Sequence, residues 1–159
     1  MLAEALAVFG KGNVSTHVIV GLGETEQEAL QIIQRSVDLG VLPALFAFTP
    51  VHGTALEKNS PPPLEAYRRV QLARFLMVKG SVRTECMCFD KNGRIASFGL
   101  ARKELEDVIL SGEPFLTSGC PGCNRPFYNE KPSGPIYNYP RKLTNEELEL
   151  IMRKFTILF

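Results

Sequence analysis

The sequence predicts an α/β fold, because strand and helix patterns alternate through its first half. From residue 13 to residue 79 the order is strand, helix, strand, helix, which is typical of parallel strands joined by right-handed crossovers. After Gly80 the pattern changes to a hairpin, a short helix, an irregular stretch and a final helix. We therefore expect two parts, the alternating units in residues 1–80 and an extension in residues 81–159.

The first part opens with apolar residues at helical spacing over residues 2–9, and Gly10 ends that pattern. "NVSTHVIVG" predicts a strand rich in β-branched residues, and its continuous apolar run at residues 18–20 predicts a strand covered on both faces. The helix "TEQEALQIIQRSVDLG" follows, and Thr25 with Glu28 forms the pattern of a capping box. "LPALFAFTPV" predicts the second strand, and "LEAYRRVQLARFLMVKG" predicts the second long helix.

The second part begins with "VRTECMCFDKNGRIASFG", which predicts a hairpin that turns at Asn92-Gly93. Two helices are predicted, "ARKELEDVILSG" and "TNEELELIMRKF", and the second starts with a capping box at Thr144 and Glu147. Residues 113–143, between these helices, are rich in Pro, Gly, Asn and Tyr. Irregular segments of this length are usually functional or disordered, and the cysteines and tyrosines of this one favour a function.

The composition excludes several classes of protein. The chain has 159 residues, of which 45% are hydrophobic and 22% charged, with a net charge of +1. The basic residues are scattered, so we expect no nucleic acid partner. The apolar runs are too short to span a bilayer, and the first residues lack the basic region of a signal peptide. We therefore expect a cytoplasmic protein with no membrane partner, where four cysteines in two close pairs favour a metal over disulfides.

Two motifs follow the predicted strands. In "VIVGLGET", Gly21 and Gly23 would let a ligand approach the backbone, and the N–H groups at the helix start attract anions. A tight turn that binds nothing explains the same pattern, and Glu26 stands where a dinucleotide-binding fingerprint has its third glycine. In "FTPVHGTALE", Thr49 and His52 lie at a carboxyl strand end, where parallel folds gather their ligand sites. The alternative there is a polar loop.

These two motifs, in this order, resemble the second half of the radical S-adenosylmethionine barrel, most closely the biotin synthase and lipoyl synthase branch. The resemblance implies a partial TIM-type (βα) barrel and S-adenosylmethionine as a cofactor. It implies that Ile19 packs on the adenine of the cofactor and that the next strand end lines the same pocket. The implied cofactor-binding residues are Ile19, Gly21, Gly23, Glu24, Thr49 and Val51. His17 stands where that family often has glycine, and we interpret it as a core or near-core residue.

The resemblance also implies that a catalytic part lies elsewhere. The family holds its catalytic 4Fe-4S cluster through a Cys-x-x-x-Cys-x-x-Cys motif, which this sequence lacks. We therefore expect the chain to be inactive alone and to need the N-terminal half of the barrel or a partner subunit. An open half-barrel leaves strand edges and apolar surface uncovered, which predicts association with another chain.

The four cysteines form two pairs. Cys120 and Cys123 flank Pro and Gly in a turn that would bring two sulfurs together, and Cys86 and Cys88 would face one side of a strand. Four thiolates suit either a zinc site or an iron–sulfur cluster. The alternative for Cys86 and Cys88 is packing as small apolar residues.

The segment "CPGCNRPFYNE" resembles the tail of the archaeal-type, two-component lipoyl synthases. That resemblance implies an auxiliary 4Fe-4S cluster on Cys120 and Cys123, with a further ligand from Cys88 or Cys86, and a substrate that bears an acyl chain. The longer stretch "CNRPFYNEKPSGPIYNYPR" supplies polar and aromatic residues that support a site: Arg125, Tyr128, Asn129, Glu130, Tyr137 and Tyr139. Two alternatives remain open, a non-catalytic zinc-binding module and an interaction subunit.

Overall fold

The structure is a computed structural model and describes residues 1–118 and 134–155. These residues form five α-helices, two short 3-10 helices and two sheets of two strands each. In chain order the elements are α1 (Leu2–Phe9), β1 (Ser15–Val20), α2 (Glu26–Leu39), β2 (Leu42–Ala47), α3 (Leu64–Val78), a 3-10 helix (Thr84–Cys86), β3 (Cys88–Phe89), β4 (Ile95–Ser97), α4 (Arg102–Ser111), a 3-10 helix (Glu113–Phe115) and α5 (Asn145–Phe155). The predicted mixture of helices and strands is confirmed.

The strands β1 and β2 pair in parallel, with a register that runs from Ser15 opposite Leu42 to Val20 opposite Ala47. Helix α2 connects them, as the alternating pattern predicted. The described residues close no barrel, because this sheet has two strands.

Helix α2 begins at the predicted capping box. The Glu28 N–H donates to the Thr25 hydroxyl at 3.2 Å, and the Thr25 N–H donates to the Glu28 carboxylate at 2.8 Å. The Thr25 backbone and hydroxyl hydrogen bonds lower the pKa of Glu28. At the other end, Gly40 has φ 84 and ψ 21, a left-handed conformation that favours glycine.

Helix α3 is the centre of the hydrophobic core. Tyr67, Val70, Leu72 and Ala73 of this helix are fully buried. One hydrophobic cluster surrounds them and contains residues from both predicted parts of the chain, among them Leu30, Ile33, Ile95, Ile109, Phe115 and Phe155. Helices α2 and α3 therefore lie between the β1–β2 sheet on one side and the hairpin and C-terminal elements on the other.

The hairpin turns where the sequence predicted. The carboxylate of Asp90 accepts hydrogen bonds from the Asn92 N–H at 2.8 Å and the Arg94 N–H at 2.9 Å, which fixes the turn. Cys86, however, lies in the preceding 3-10 helix, because its N–H donates to the Arg83 carbonyl and closes a turn. The prediction that Cys86 and Cys88 share one strand is therefore wrong.

Residues near the end of the irregular segment are part of the core. Tyr137 and Tyr139 are buried, and the Tyr137 hydroxyl donates to the Pro62 carbonyl at 2.7 Å. The Tyr139 N–H donates to the Phe115 carbonyl at 2.9 Å. The guanidinium of buried Arg68 lies 5.0 Å from the centre of the Tyr139 ring. These two tyrosines, which the sequence placed with the residues that support a site, therefore lie in the core and attach the C-terminal segment to α3.

The outer edge of β2 is covered by side chains of the same chain. The Leu45 N–H donates to the Ser118 hydroxyl at 2.8 Å, and Arg74 Nε donates to the Pro43 carbonyl at 2.8 Å. Burial lowers the pKa of Arg74 to about 10. A further strand cannot pair with β2 at these positions without displacing both side chains.

Candidate functional site

One face of the β1–β2 sheet is open in the described part of the chain. Side chains of a strand alternate between faces, and Val18 and Val20 pack into the core on the helix side. On the other face His17 is exposed, and Ile19 is 48% exposed. The predictions that β1 is covered on both faces and that His17 is a near-core residue are therefore wrong for the described residues.

A groove of about 460 Å³ lies on this open face, and we call it the face groove. It is lined by His17, Ile19, Leu22, Phe46, Ala47, Phe48, Thr49 and Leu56. The His17 and Phe46 rings are 4.6 Å apart between centroids and tilted by 58°. The groove brings Ile19 and Thr49 together near the carboxyl ends of two parallel strands. Its volume is in the range of small-molecule sites, roughly 300–1,000 Å³.

The turn after β1 is closed by its own carboxylate. Glu24 accepts hydrogen bonds from the Gly21 N–H at 2.7 Å and the Leu22 N–H at 2.8 Å. At the start of α2, the Gln27 N–H donates to the Gly93 carbonyl at 2.9 Å. An anion would have to displace Glu24 to reach the turn. The hydrogen bonds therefore favour a turn satisfied from within the chain over an anion site.

The two glycines of this turn have different surroundings. Gly21 has φ 106 and Gly23 has φ 117, a region that side chains rarely adopt. A Cβ atom on Gly21 would lie 2.7 Å from Cδ of Pro62, whereas one on Gly23 would meet no atom within 4 Å. Gly21 is required for packing against the loop before α3. Gly23 leaves its backbone open to an approaching ligand.

The remaining predicted residues lie beside the face groove or outside it. Gly21, Gly23 and Glu24 line a second groove of about 380 Å³, between the turn and residues 60–63. Val51 is 59% exposed and lines neither of these two grooves. His52, which the sequence placed at a carboxyl strand end among candidate ligand-binding residues, is fully exposed and lies 3.1 Å from the Glu57 carboxylate.

The cysteines are partly within the described residues. Cys86 and Cys88 are exposed, so the alternative that they pack as core residues is wrong. Cys120 and Cys123 lie outside the described residues. Within residues 1–118 and 134–155, no three His, Cys, Asp or Glu side chains are grouped to hold a metal ion.

Sequence reasoning missed the residues that give the face groove its shape. Phe46 lies in the second strand just before the motif "FTPVHGTALE", and Leu56 lies within that motif, but neither was singled out; Leu22 was passed over between two glycines. His17 was placed in the core, although its position two residues before Ile19 puts both side chains on one face. That spacing is the signal that would have found it.

Comparison of the chain with protein-family models, with curated proteins and with solved structures gave no match. The described residues therefore define the class of protein by their fold and site alone. They form a mixed α/β protein with a parallel βα unit and a groove on the uncovered sheet face. None of the described helices is long and apolar enough to cross a membrane.

Proposed function

We propose that the chain is the C-terminal portion of a radical S-adenosylmethionine iron–sulfur enzyme of the sulfur-insertion type, similar to biotin and lipoyl synthases. The observation that carries the proposal is the exposed apolar face beside Ile19. It lies next to Phe46 on the adjacent parallel strand, and Thr49 follows at the strand end. In this proposal β1, α2, β2 and α3 are the last units of a partial (βα) barrel.

The face groove has the properties that a nucleoside requires. Its floor contains the Ile19 side chain and the Phe46 ring, which suit the apolar face of a purine. Gly23, in the turn after β1, leaves its backbone accessible. The residues present therefore fit the adenosine part of the cofactor.

The residues of this chain would bind and orient the adenosine part of S-adenosylmethionine, and the cofactors would supply the radical chemistry. Ile19 and Phe46 would pack against the ring and exclude water from one side of it. Glu24, through its two hydrogen bonds to the turn, would hold the backbone beside the ring in place. The N-terminal half of the barrel or a partner subunit, in the same reducing cytoplasm, would supply the catalytic cluster.

An auxiliary cluster is the second part of the proposal. Its ligands would be Cys120 and Cys123, together with Cys88 or Cys86, and the substrate would carry an acyl chain. The exposure of Cys86 and Cys88 supports it, because exposed thiols are accessible to a metal. Zinc on the same thiolates, without catalysis, is the alternative.

Titration with adenosine tests the groove without any cluster. We expect adenosine and S-adenosylmethionine to shift the backbone amide signals of Leu22 and Phe46 in a ¹⁵N-labelled chain. Binding should be weak, with a Kd of about 1 mM, because the groove covers one side of the ring. Ile19→Lys should abolish the shifts, since it places a charge on the apolar floor. Leu150→Lys is the matched control, because Leu150 on α5 is exposed to a similar degree, 59% against 48%.

Two results of this titration would contradict the proposed pocket. One is the absence of shifts at millimolar adenosine. The other is binding that survives Ile19→Lys.

A further inference from the structure

The free edge of β1 carries backbone groups that make no hydrogen bond within the described residues. The Val14 carbonyl accepts from the Leu42 N–H at 2.9 Å, and the Val20 carbonyl accepts from the Phe48 N–H at 2.8 Å. Backbone groups of successive strand residues point to opposite edges, so the even-numbered residues of β1 bond to β2. The odd-numbered residues direct their N–H and C=O groups outward: Ser15, His17 and Ile19.

Apolar surface lies directly beside this edge. A groove of about 540 Å³, which we call the edge groove, runs between β1, α1 and α2. Leu2 of α1 and Ile32 of α2 line it and are 37% and 49% exposed. Helix α1 has no buried residue, although its sequence is mostly apolar. A strand placed at the edge of β1 would lie against the apolar lining of the edge groove.

The two edges of the sheet differ in whether side chains cover them. Ser118 and Arg74 cover the outer edge of β2. β1 has the sequence Ser-Thr-His-Val-Ile-Val, without the lysine or proline that protects free edges. Within residues 1–118 and 134–155, the sheet can therefore be extended at β1 and not at β2.

We propose that the edge of β1 is a docking site for a single extended β-strand of another polypeptide. The strand would bond to the outward groups of Ser15, His17 and Ile19 and place apolar side chains in the edge groove. A strand is the occupant that matches, because its backbone groups repeat at the same spacing as those of β1. The edge groove requires apolar residues at alternate positions of that strand.

A second copy of this chain does not fit the edge. Head-to-tail association would pair β1 of one copy with β2 of the next, and that edge of β2 is covered. In a two-fold arrangement, the two β1 strands would pair directly. Strands lie about 4.8 Å apart and packed helices about 8–10 Å apart. Helix α2 rests on both strands, so the two copies of α2 would be neighbours and would leave no space for two α1 helices.

This inference concerns hydrogen bonding at a sheet edge and stands apart from the radical chemistry of the proposed function. Its test needs neither iron nor a nucleoside. The probe is the synthetic peptide KTVTVTVK, added to the ¹⁵N-labelled full chain, and the readout is hydrogen–deuterium exchange of single amides. The control peptide is KTVPVTVK, in which proline interrupts the ladder.

The register of β1 makes the expected result specific. The amides of Ser15, His17 and Ile19 should exchange fast in the chain alone. At a peptide concentration ten times its Kd, their exchange should become about tenfold slower. The amides of Thr16 and Val18 should not change, because they already bond to β2. His17→Pro should fold and keep the Val18 amide protected but should lose peptide binding, since it removes an outward N–H.

Three results would overturn the inference. One is slow exchange of the odd-numbered amides in the dilute chain alone, which would mean that the edge is already covered. Another is protection that rises with protein concentration without peptide, which would identify a second copy as the occupant. The third is no slowing by KTVTVTVK, or equal slowing by KTVPVTVK. Each of these leaves the adenosine titration unaffected, so the two proposals fail separately.

Discussion

Glu24 is the residue that decides what the turn after β1 can bind. Both of its carboxylate oxygens accept backbone hydrogen bonds, from Gly21 and Leu22. Backbone N–H groups in glycine-rich turns commonly bind phosphate, but here a side chain of the same turn already provides the negative charge. A neutral or cationic ligand therefore suits this turn better than a phosphate. The adenosine and sulfonium of S-adenosylmethionine meet that requirement.

The two glycines of the turn provide a prediction at the scale of single residues. Gly23→Ala should cost about 1–3 kcal/mol of unfolding free energy, because alanine is strained at φ 117. Gly21→Ala should cost roughly 1–3 kcal/mol more, because its Cβ would also clash with Pro62 at 2.7 Å. Urea unfolding followed by circular dichroism measures both.

Double variants that include Pro62→Ala test whether the extra cost of Gly21→Ala comes from the contact with Pro62. Pro62→Ala should recover part of the loss in Gly21→Ala and none of the loss in Gly23→Ala. Equal costs for the two glycine variants would contradict the packing role of Gly21.

Residue patterns predicted which face of an element a side chain lies on. They did not predict as well whether that face is buried or exposed. The alternation that places His17 and Ile19 on one face of β1 is a local property of a strand. Which face is covered depends on the elements packed against it, so His17 was wrongly placed near the core. Cys86 was assigned to a strand because a two-residue spacing cannot show that the chain makes a 3-10 turn first.

At the scale of elements, a buried ion pair joins α2, α3 and β4. Arg69 Nε of α3 lies 3.0 Å from both carboxylate oxygens of Glu26 in α2. The same carboxylate accepts the Ile95 N–H of β4 at 2.9 Å. Both side chains are buried, with 8% and 10% exposed. The Glu26 carboxylate therefore connects α2 to both α3 and the hairpin.

We predict that Arg69→Leu lowers the free energy of unfolding by about 3–5 kcal/mol, because it leaves the Glu26 carboxylate buried without its cation. The double variant Arg69→Leu/Glu26→Gln should be more stable than Arg69→Leu, since it removes the charge and keeps an acceptor for Ile95. Urea unfolding is the measurement.

The exposed pair of Arg83 and Asp38 supplies the control. These side chains are 55% and 45% exposed, so Arg83→Leu should cost about 0–1 kcal/mol. A loss in Arg69→Leu no larger than this would show that Glu26 is not a central contact.

Local signals predicted the ends of elements, and distant contacts escaped prediction. The capping box of α2 and the Asn92-Gly93 turn are encoded by neighbouring residues and were confirmed. The contact between Glu26 and Arg69 joins residues 43 positions apart, and no local pattern indicates it. The same holds for Ser118 on the edge of β2, because two α-helices and two 3-10 helices lie between β2 and Ser118 in the sequence.

At the scale of the whole molecule, the described residues cover one face of the β1–β2 sheet. Helices α2 and α3 pack on that face, the hairpin and the C-terminal elements join the same hydrophobic core, and the other face holds the face groove. The alternation of strands and helices was predicted because each unit carries its own apolar pattern. The packing of Tyr137 and Tyr139 against α3 was not, because an irregular segment has no periodicity from which to infer a buried face.

The metal content is a prediction for the whole molecule. Protein purified without oxygen should contain iron and acid-labile sulfide near four each per chain, as in one 4Fe-4S cluster, and no zinc. Cys120→Ser/Cys123→Ser should lose both, because thiolates hold such clusters. Cys86→Ser/Cys88→Ser should reduce both if either residue supplies a further ligand. Metal and sulfide analysis with circular dichroism for folding measures this.

Other outcomes decide between the alternatives. One zinc per chain without sulfide would identify the non-catalytic zinc module. A folded chain with no metal under these conditions would contradict both metal hypotheses.

The contact between the hairpin and the start of α2 affects how the molecule folds. Gly93 at the hairpin tip accepts the Gln27 N–H, and a Cβ there would lie 2.8 Å from Thr25. The first turn of α2 is therefore complete when a segment far along the chain has arrived. Neither the βα units nor the hairpin reaches its full stability without the other. Unfolding should therefore be cooperative, with a single transition in which the βα units and the hairpin unfold together.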